Sequence, residues 1–233
     1  MAVKKNKVQG NHTDDKGSEA ILSKSEKTKD SIMSVAKRLF IERGYDSVSI
    51  KDITDAAGLT KGHVYYYFEN KQALFDAVLD SYFSEHARAL MNSAKLSDSI
   101  SERINSAVDA YIDFIERNPG FPRLIQRELC SESHNTEKIS RSMSPLHEWG
   151  TAAFSGFLPV EGPLSAKHFF MDVFAMIINY YTYAPLVARL WGVSPLSDAA
   201  LSERRKHLHI VIDGLVEKYV GVGNAASTDK GNG

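Results

Sequence analysis

The twenty residues 49–68, SIKDITDAAGLTKGHVYYYF, leave this chain few ways to fold. Ser49 followed three positions later by Asp52 is a capping box opening a helix. Ile50, Ile53, Ala56 and Ala57 then recur at helical period. Gly58 stands where a helix end favours a left-handed φ. Thr60 caps a second helix, with Leu59, Val64 and Phe68 as its apolar anchor. The other positions of that helix, Lys61, Gly62, His63, Tyr65, Tyr66 and Tyr67, put donors and phenols on an element too short to serve mainly as core. Two short helices joined at a glycine, the second crowded with donors, form the pattern of a helix-turn-helix. Such a motif sets its second helix into the major groove of DNA. Gly62, without a side chain, lets backbone approach a phosphate or a base edge.

The flanks extend the pattern. A first helix is expected from Thr28 to Arg43, with Ile32, Val35, Ala36, Leu39 and Phe40 as its buried stripe. Gly44 ends it and Tyr45 packs back. Asn70 opens a long helix through Leu74, Phe75, Val78, Leu79, Phe83 and Leu90. From Thr28 to Leu79 the chain reads TKDSIMSVAKRLFIERGYDSVSIKDITDAAGLTKGHVYYYFENKQALFDAVL. This segment resembles the N-terminal DNA-binding domain of the TetR family of transcriptional regulators. The resemblance lies in the ERGY helix end, the SIKDI helix, the AAGLTKG turn, the YYYF close and the NKQAL start. It covers about 50 of 233 residues. Two positions depart from the family pattern. Glu69-Asn70 follows the aromatic close where Pro or Ser is frequent, and His63 stands where a small Thr, Ser or Ala is common.

Position by position, the resemblance marks Lys61, Gly62, His63, Tyr65, Tyr66 and Lys71 as the DNA face. The residues add roles of their own. Thr60 and the amides near Lys61 lie at a helix N-terminus, which attracts phosphate. Tyr65 and Tyr66 carry hydroxyls that can donate to phosphate, and Lys71 supplies a further cation. Ser49 is a phosphate candidate as well as a cap, and Lys51 is an added contact from the first helix of the motif. Lys61 and His63 are the expected base readers, because their donors reach guanine acceptors.

Composition alone would not have suggested nucleic acid, since net charge is −1. Its distribution is more telling. Residues 1–71 hold 13 Lys+Arg against 10 Asp+Glu, and the remainder holds 15 against 19. The basic excess thus falls in the segment expected to meet phosphate. Cys130 is the one cysteine, so no internal disulfide forms. No apolar run approaches the ~20 residues needed to span a bilayer, and no apolar stretch follows Lys4, Lys5 and Lys7 as a signal peptide would require. A cytoplasmic protein without membrane partner is expected.

The expected organisation is a disordered polar tail over 1–25, a helix-turn-helix domain over 26–79, a larger domain over 80–221 and a second tail over 222–233. The first tail reads as a solvated segment or as a basic arm on the DNA backbone. Beyond residue 80 the pattern is helical throughout. Ser97 is expected to cap one helix and Asn118-Pro119 the next. A further helix is expected over His134–Phe157, a long apolar one from Ser165 to Trp191, and a last one from Ser197. The fold class is therefore all-α, with about nine helices: an N-terminal three-helix domain and a larger C-terminal helical ligand-binding and dimerisation domain.

The helix containing FFMDVFAMIINYYTYAPLVARLW is apolar on nearly all sides and must be covered on all of them. Homodimerisation through the last two helices would cover it, and burial within one large subunit is the alternative. Phe83, Phe114, Phe121, Met143, Trp149, Phe154, Phe170, Phe174, Tyr180 and Tyr181 are aromatic or soft residues suited to a ligand cavity. Arg123, Arg127 and His147 could anchor an acidic ligand or lie on the surface. No enzyme pattern competes. His147-Glu148 lacks a second zinc ligand, His207 and His209 point to different helix faces, and Cys130 with His134 gives two ligands where a structural zinc needs four. No cofactor is expected. What the resemblance implies is a regulator, most often a repressor, released from a palindromic operator by a small apolar or aromatic effector.

Overall fold

The computed structural model describes residues 15–93, 99–131, 135–155 and 158–228. Ser97, His134, and residues 1–14 and 229–233 of the two tails lie outside the described residues. Those described form ten α-helices and no strand. They are α1 Asp15–Arg43, α2 Ile50–Ala57, α3 Lys61–Tyr67, α4 Lys71–Ser93, α5 Ile100–Arg117, α6 Phe121–Cys130, α7 Asn135–Ser155, α8 Ala166–Thr182, α9 Ala184–Trp191 and α10 Asp198–Thr228. The chain divides into two compact units at Phe75/Asp76, a boundary inside α4. None of the described helices is long and apolar enough to cross a membrane.

In the first unit, Ile32, Ala36, Leu39 and Phe40 of α1 are buried with Ile53, Val64, Phe68, Leu74 and Phe75. Phe40 meets Phe75 edge-on at 5.1 Å, and Tyr45 lies 4.9 Å from the same ring. Gly44, at φ 82°, ends α1 and donates its amide to Phe40 O at 2.8 Å. The helix begins well before Thr28, so it takes in residues 15–25 that the sequence reading assigned to the tail. Thr28 does not cap. Its hydroxyl bonds back to Lys24 O at 3.0 Å, as a threonine inside a helix does.

In the second unit two expected boundaries move. Asn118 closes α5, its amide bonding Phe114 O and Ile115 O at 3.0 Å each. Gly120 precedes α6, and Pro122 sits in its first turn. The expected single helix over 165–191 is two. Pro185 has no N–H to donate to the preceding turn, so the ladder stops at Thr182 and restarts as α9. That break accounts for the tenth helix. Ser197 opens α10 as expected, its Oγ accepting from Ala200 N at 3.4 Å. The helix runs through 222–228, where a frayed end was expected. Arg205 of α10 binds Asp109, Asp113 and Glu116 of α5 at 3.1, 2.6 and 3.4 Å, and His209 Nε2 lies 2.9 Å from Asp109.

Candidate nucleic-acid interface and a buried cavity

The turn is built as its residues dictate. Asp52 N donates to Ser49 Oγ at 3.1 Å, and Ser49 N donates to Asp52 Oδ2 at 2.8 Å. The Ser49 hydroxyl, which donates to Asp52 Oδ2, and then the Ser49 amide hold the Asp52 carboxyl below its usual range. Gly58 adopts φ 65° and ψ 33°, which only glycine takes without strain. Asn70 Oδ1 accepts from Ala73 N at 2.8 Å and so caps α4.

The motif buries Val64 and Phe68 and turns the remainder of α3 outward. Tyr65 is 51% and Tyr66 78% exposed, and Lys61, Gly62 and His63 are exposed too. Tyr67 faces differently: its hydroxyl lies 3.0 Å from Ser25 Oγ. Thr60 N donates to His63 Nδ1 at 3.4 Å, and Thr60 Oγ1 lies 2.8 Å from the same nitrogen. A backbone amide can only donate, so Nδ1 accepts. The proton of the neutral imidazole is thereby assigned to Nε2, which becomes a donor.

The other expected contacts are already engaged within the unit. The Ser49 hydroxyl bonds Asp52 as both donor and acceptor. Lys51 Nζ holds Asp55 Oδ2 at 2.6 Å, an interaction that raises its pKa. Lys71 Nζ donates to Tyr45 O at 2.9 Å and lies 4.1 Å from the Tyr45 ring centre. Lys61 has no ion pair among the described residues, which leaves its ammonium available at the tip of α3.

The larger unit holds an apolar cavity of about 50 Å³ between α4, α5, α7 and α8. Trp149, Phe154, Phe170 and Phe174, all singled out from sequence, line it. Phe83, Phe114 and Phe121 instead pack on one another, with ring centres 5.6 and 5.3 Å apart. Met143 lines no part of this cavity. Tyr181 stands away from it and donates its hydroxyl to Glu116 Oε1 at 3.3 Å. Arg123 and Arg127 are not on the wall, and His147 meets the Phe170 ring edge-on at 5.3 Å. Sequence reasoning missed His86, which lines the cavity and is 2% exposed. A signal existed: Leu79, Tyr82, His86 and Leu90 share one helical register, so a histidine stood among apolar neighbours.

An all-α chain whose first unit presents a donor-rich second helix across a glycine turn has the architecture of a helix-turn-helix DNA-binding protein. The comparisons agree. Residues 32–78 match the family model of bacterial regulatory proteins, tetR family. The chain is 30% identical over 94 residues to the HTH-type transcriptional activator FasR of Mycolicibacterium smegmatis, covering 40% of this chain and 43% of that one. It is 33% identical over 54 residues to the HTH-type transcriptional repressor KstR2 of Rhodococcus jostii, covering 23% and 26%. These alignments span less than half of the relatives' own length. Among solved structures, the fatty acid degradation regulator FadR from Bacillus halodurans superposes with a TM-score of 0.63 at 17% identity, over 79% of this chain and 93% of that one. The KstR2 regulator of Mycobacterium tuberculosis gives 0.61 at 16%, over 80% and 93%. Residues 32–78 thus form a helix-turn-helix domain of the tetR family of bacterial regulatory proteins.

Proposed function

We propose that this protein is a sequence-specific DNA-binding transcriptional regulator, acting as a repressor that a small apolar or aromatic effector releases from a palindromic operator. The observation that carries this reading is the outward face of α3, where Lys61, Gly62, His63, Tyr65 and Tyr66 are all exposed. Lys61 and the Nε2–H of His63 are the base readers, matched to the O6 and N7 acceptors of guanine. Tyr65, Tyr66 and the Thr60 end of α3 bind phosphate and fix the register. Ser49, Lys51 and Lys71 act at the margin. Each is already bonded within the unit, though an ammonium such as that of Lys71 keeps donors to spare.

A second copy completes the reader. Met171 on α8, Leu186, Leu190 and Trp191 on α9, and Ile210 on α10 are 51, 53, 71, 59 and 73% exposed. Apolar exposure of this extent on the last helices supports a homodimer formed through them. Its two α3 helices would read half-sites about one DNA turn, ~34 Å, apart. The cavity lined by Trp149, Phe154 and Phe174 is the effector site in this reading. A ligand there favours a dimer geometry in which the two readers no longer match the half-sites. The passage from one unit to the other inside α4 supports that helix as the coupling element.

Selection of bound molecules from a random duplex pool tests the reading. An enriched palindrome is expected. Recovery without sequence preference would remove the specific regulator.

A further inference from the structure

Two residues that line the cavity, His86 and Tyr111, carry polar groups without a hydrogen-bond partner among the described residues. His86 Nε2 and the Tyr111 hydroxyl are both buried and make no hydrogen bond. The two rings are stacked, with centres 4.4 Å apart, and the other face of the arrangement brings His86 to 4.7 Å from Phe114. His86 is 2% and Tyr111 5% exposed. Buried polar atoms are nearly always paired, and each exception calls for an explanation. Two exceptions in stacked rings on one cavity wall share an explanation if a bound molecule satisfies them.

The remaining wall narrows what that molecule is. Among the described lining residues there is no Lys or Arg, and the rest are carbon-surfaced side chains such as Leu90, Ile104, Val108 and Ile177. Burial pushes the His86 imidazole down to about 3 and the Tyr111 phenol well above its ordinary value, so both groups stay neutral. Nothing here would offset the desolvation of an anion. A single hydroxyl can donate to one orphan and accept from the other, and a carbonyl can accept from both.

The Phe170 ring forms one wall and is closely seated. An added Cβ at Gly150 would lie 2.4 Å from Phe170 Cε2, so the Phe170 ring occupies a notch that only glycine leaves open. Phe170 is itself half-buried. Its displacement would widen the present space of about 50 Å³, already several times the ~10–15 Å³ that one water needs.

We infer that the cavity takes an uncharged molecule with one hydroxyl or carbonyl head on a compact apolar or aromatic body, the head held by His86 Nε2 and the Tyr111 hydroxyl. This rests on reading the cavity as the effector site. The test uses three probes with the same body, p-cresol, toluene and p-toluate, titrated into the full chain by calorimetry with Trp149 emission as a second signal. The p-cresol should bind at least tenfold more tightly than either of the others. Tyr111→Phe removes only an oxygen that has no partner in the free protein, so it should melt no lower than the parent. It should weaken p-cresol to the level of toluene and leave toluene unchanged. His86→Phe should erase the same preference. Equal binding of p-cresol and toluene by the parent would overturn the polar head while leaving an apolar ligand site. Tightest binding of p-toluate would overturn the exclusion of anions. No binding of any probe would remove the cavity as a site for molecules of this class, and the inference with it.

Discussion

Gly62→Ala separates DNA contact from folding, because the two should move in opposite directions. Gly62 is the second residue of α3, and a Cβ added there meets only Thr60 Oγ1, at an ordinary 3.7 Å. Its φ is not in the left-handed range, so alanine fits the backbone as it stands. Alanine is favoured over glycine by up to ~1 kcal/mol in a helix interior, and at this end position by about 0.5 kcal/mol. For a small domain that is a rise of roughly 2–4 °C in melting temperature. On DNA the same methyl would stand between the α3 backbone and the duplex. A loss of about 1.4 kcal/mol, or tenfold in affinity, is the expected minimum for such a contact. Thermal melting and fluorescence anisotropy on the selected operator measure the two effects. A variant that melts higher and binds equally well would refute the placement of this end of α3 against DNA.

Other substitutions divide along the same line. Lys61→Ala should leave stability unchanged and relax the preference for guanine at one position by about 1–3 kcal/mol, read by competition with single-base operator variants. Lys71→Ala should cost about 1 kcal/mol of stability through the lost bond to Tyr45 O, seen in a denaturant melt without DNA. Asn70→Ala should also cost about 1 kcal/mol, since it removes the cap on Ala73 N. Acid should weaken the larger unit through His86. Its folded pKa of about 3 lies below the unfolded value of 6.5, so the unfolded chain binds more protons between those limits and stability falls as pH drops through that window. At pH 5 the difference from pH 8 is about 2 kcal/mol. Melts of His86→Phe across the same range should lack that part of the slope.

The helix-turn-helix was legible because its signals are local. A capping box, a glycine in left-handed conformation and an asparagine cap each act within four residues, and Ser49–Asp52, Gly58 and Asn70 are built accordingly. The first helix was expected to start at Thr28, but the preceding segment continues it and the Thr28 hydroxyl bonds back to Lys24. Pro185 was visible in the sequence, yet the unbroken apolar run around it suggested one helix where there are two. The engagement of Lys71 by Tyr45, 26 positions away, depends on tertiary packing that no short pattern encodes. The cavity was half legible for the same reason. Aromatic content pointed to Trp149, Phe154 and Phe174, but only packing decides that Phe83, Phe114 and Phe121 fill core while His86 reaches the wall.

Amide hydrogen exchange of the full chain, with and without its selected operator, tests the account's central claim most directly, because it locates the contact. Slowed exchange on binding is predicted in α3 and its preceding turn, residues 58–67. Protection confined to other surfaces, with that segment exchanging as fast on DNA as off it, would contradict it.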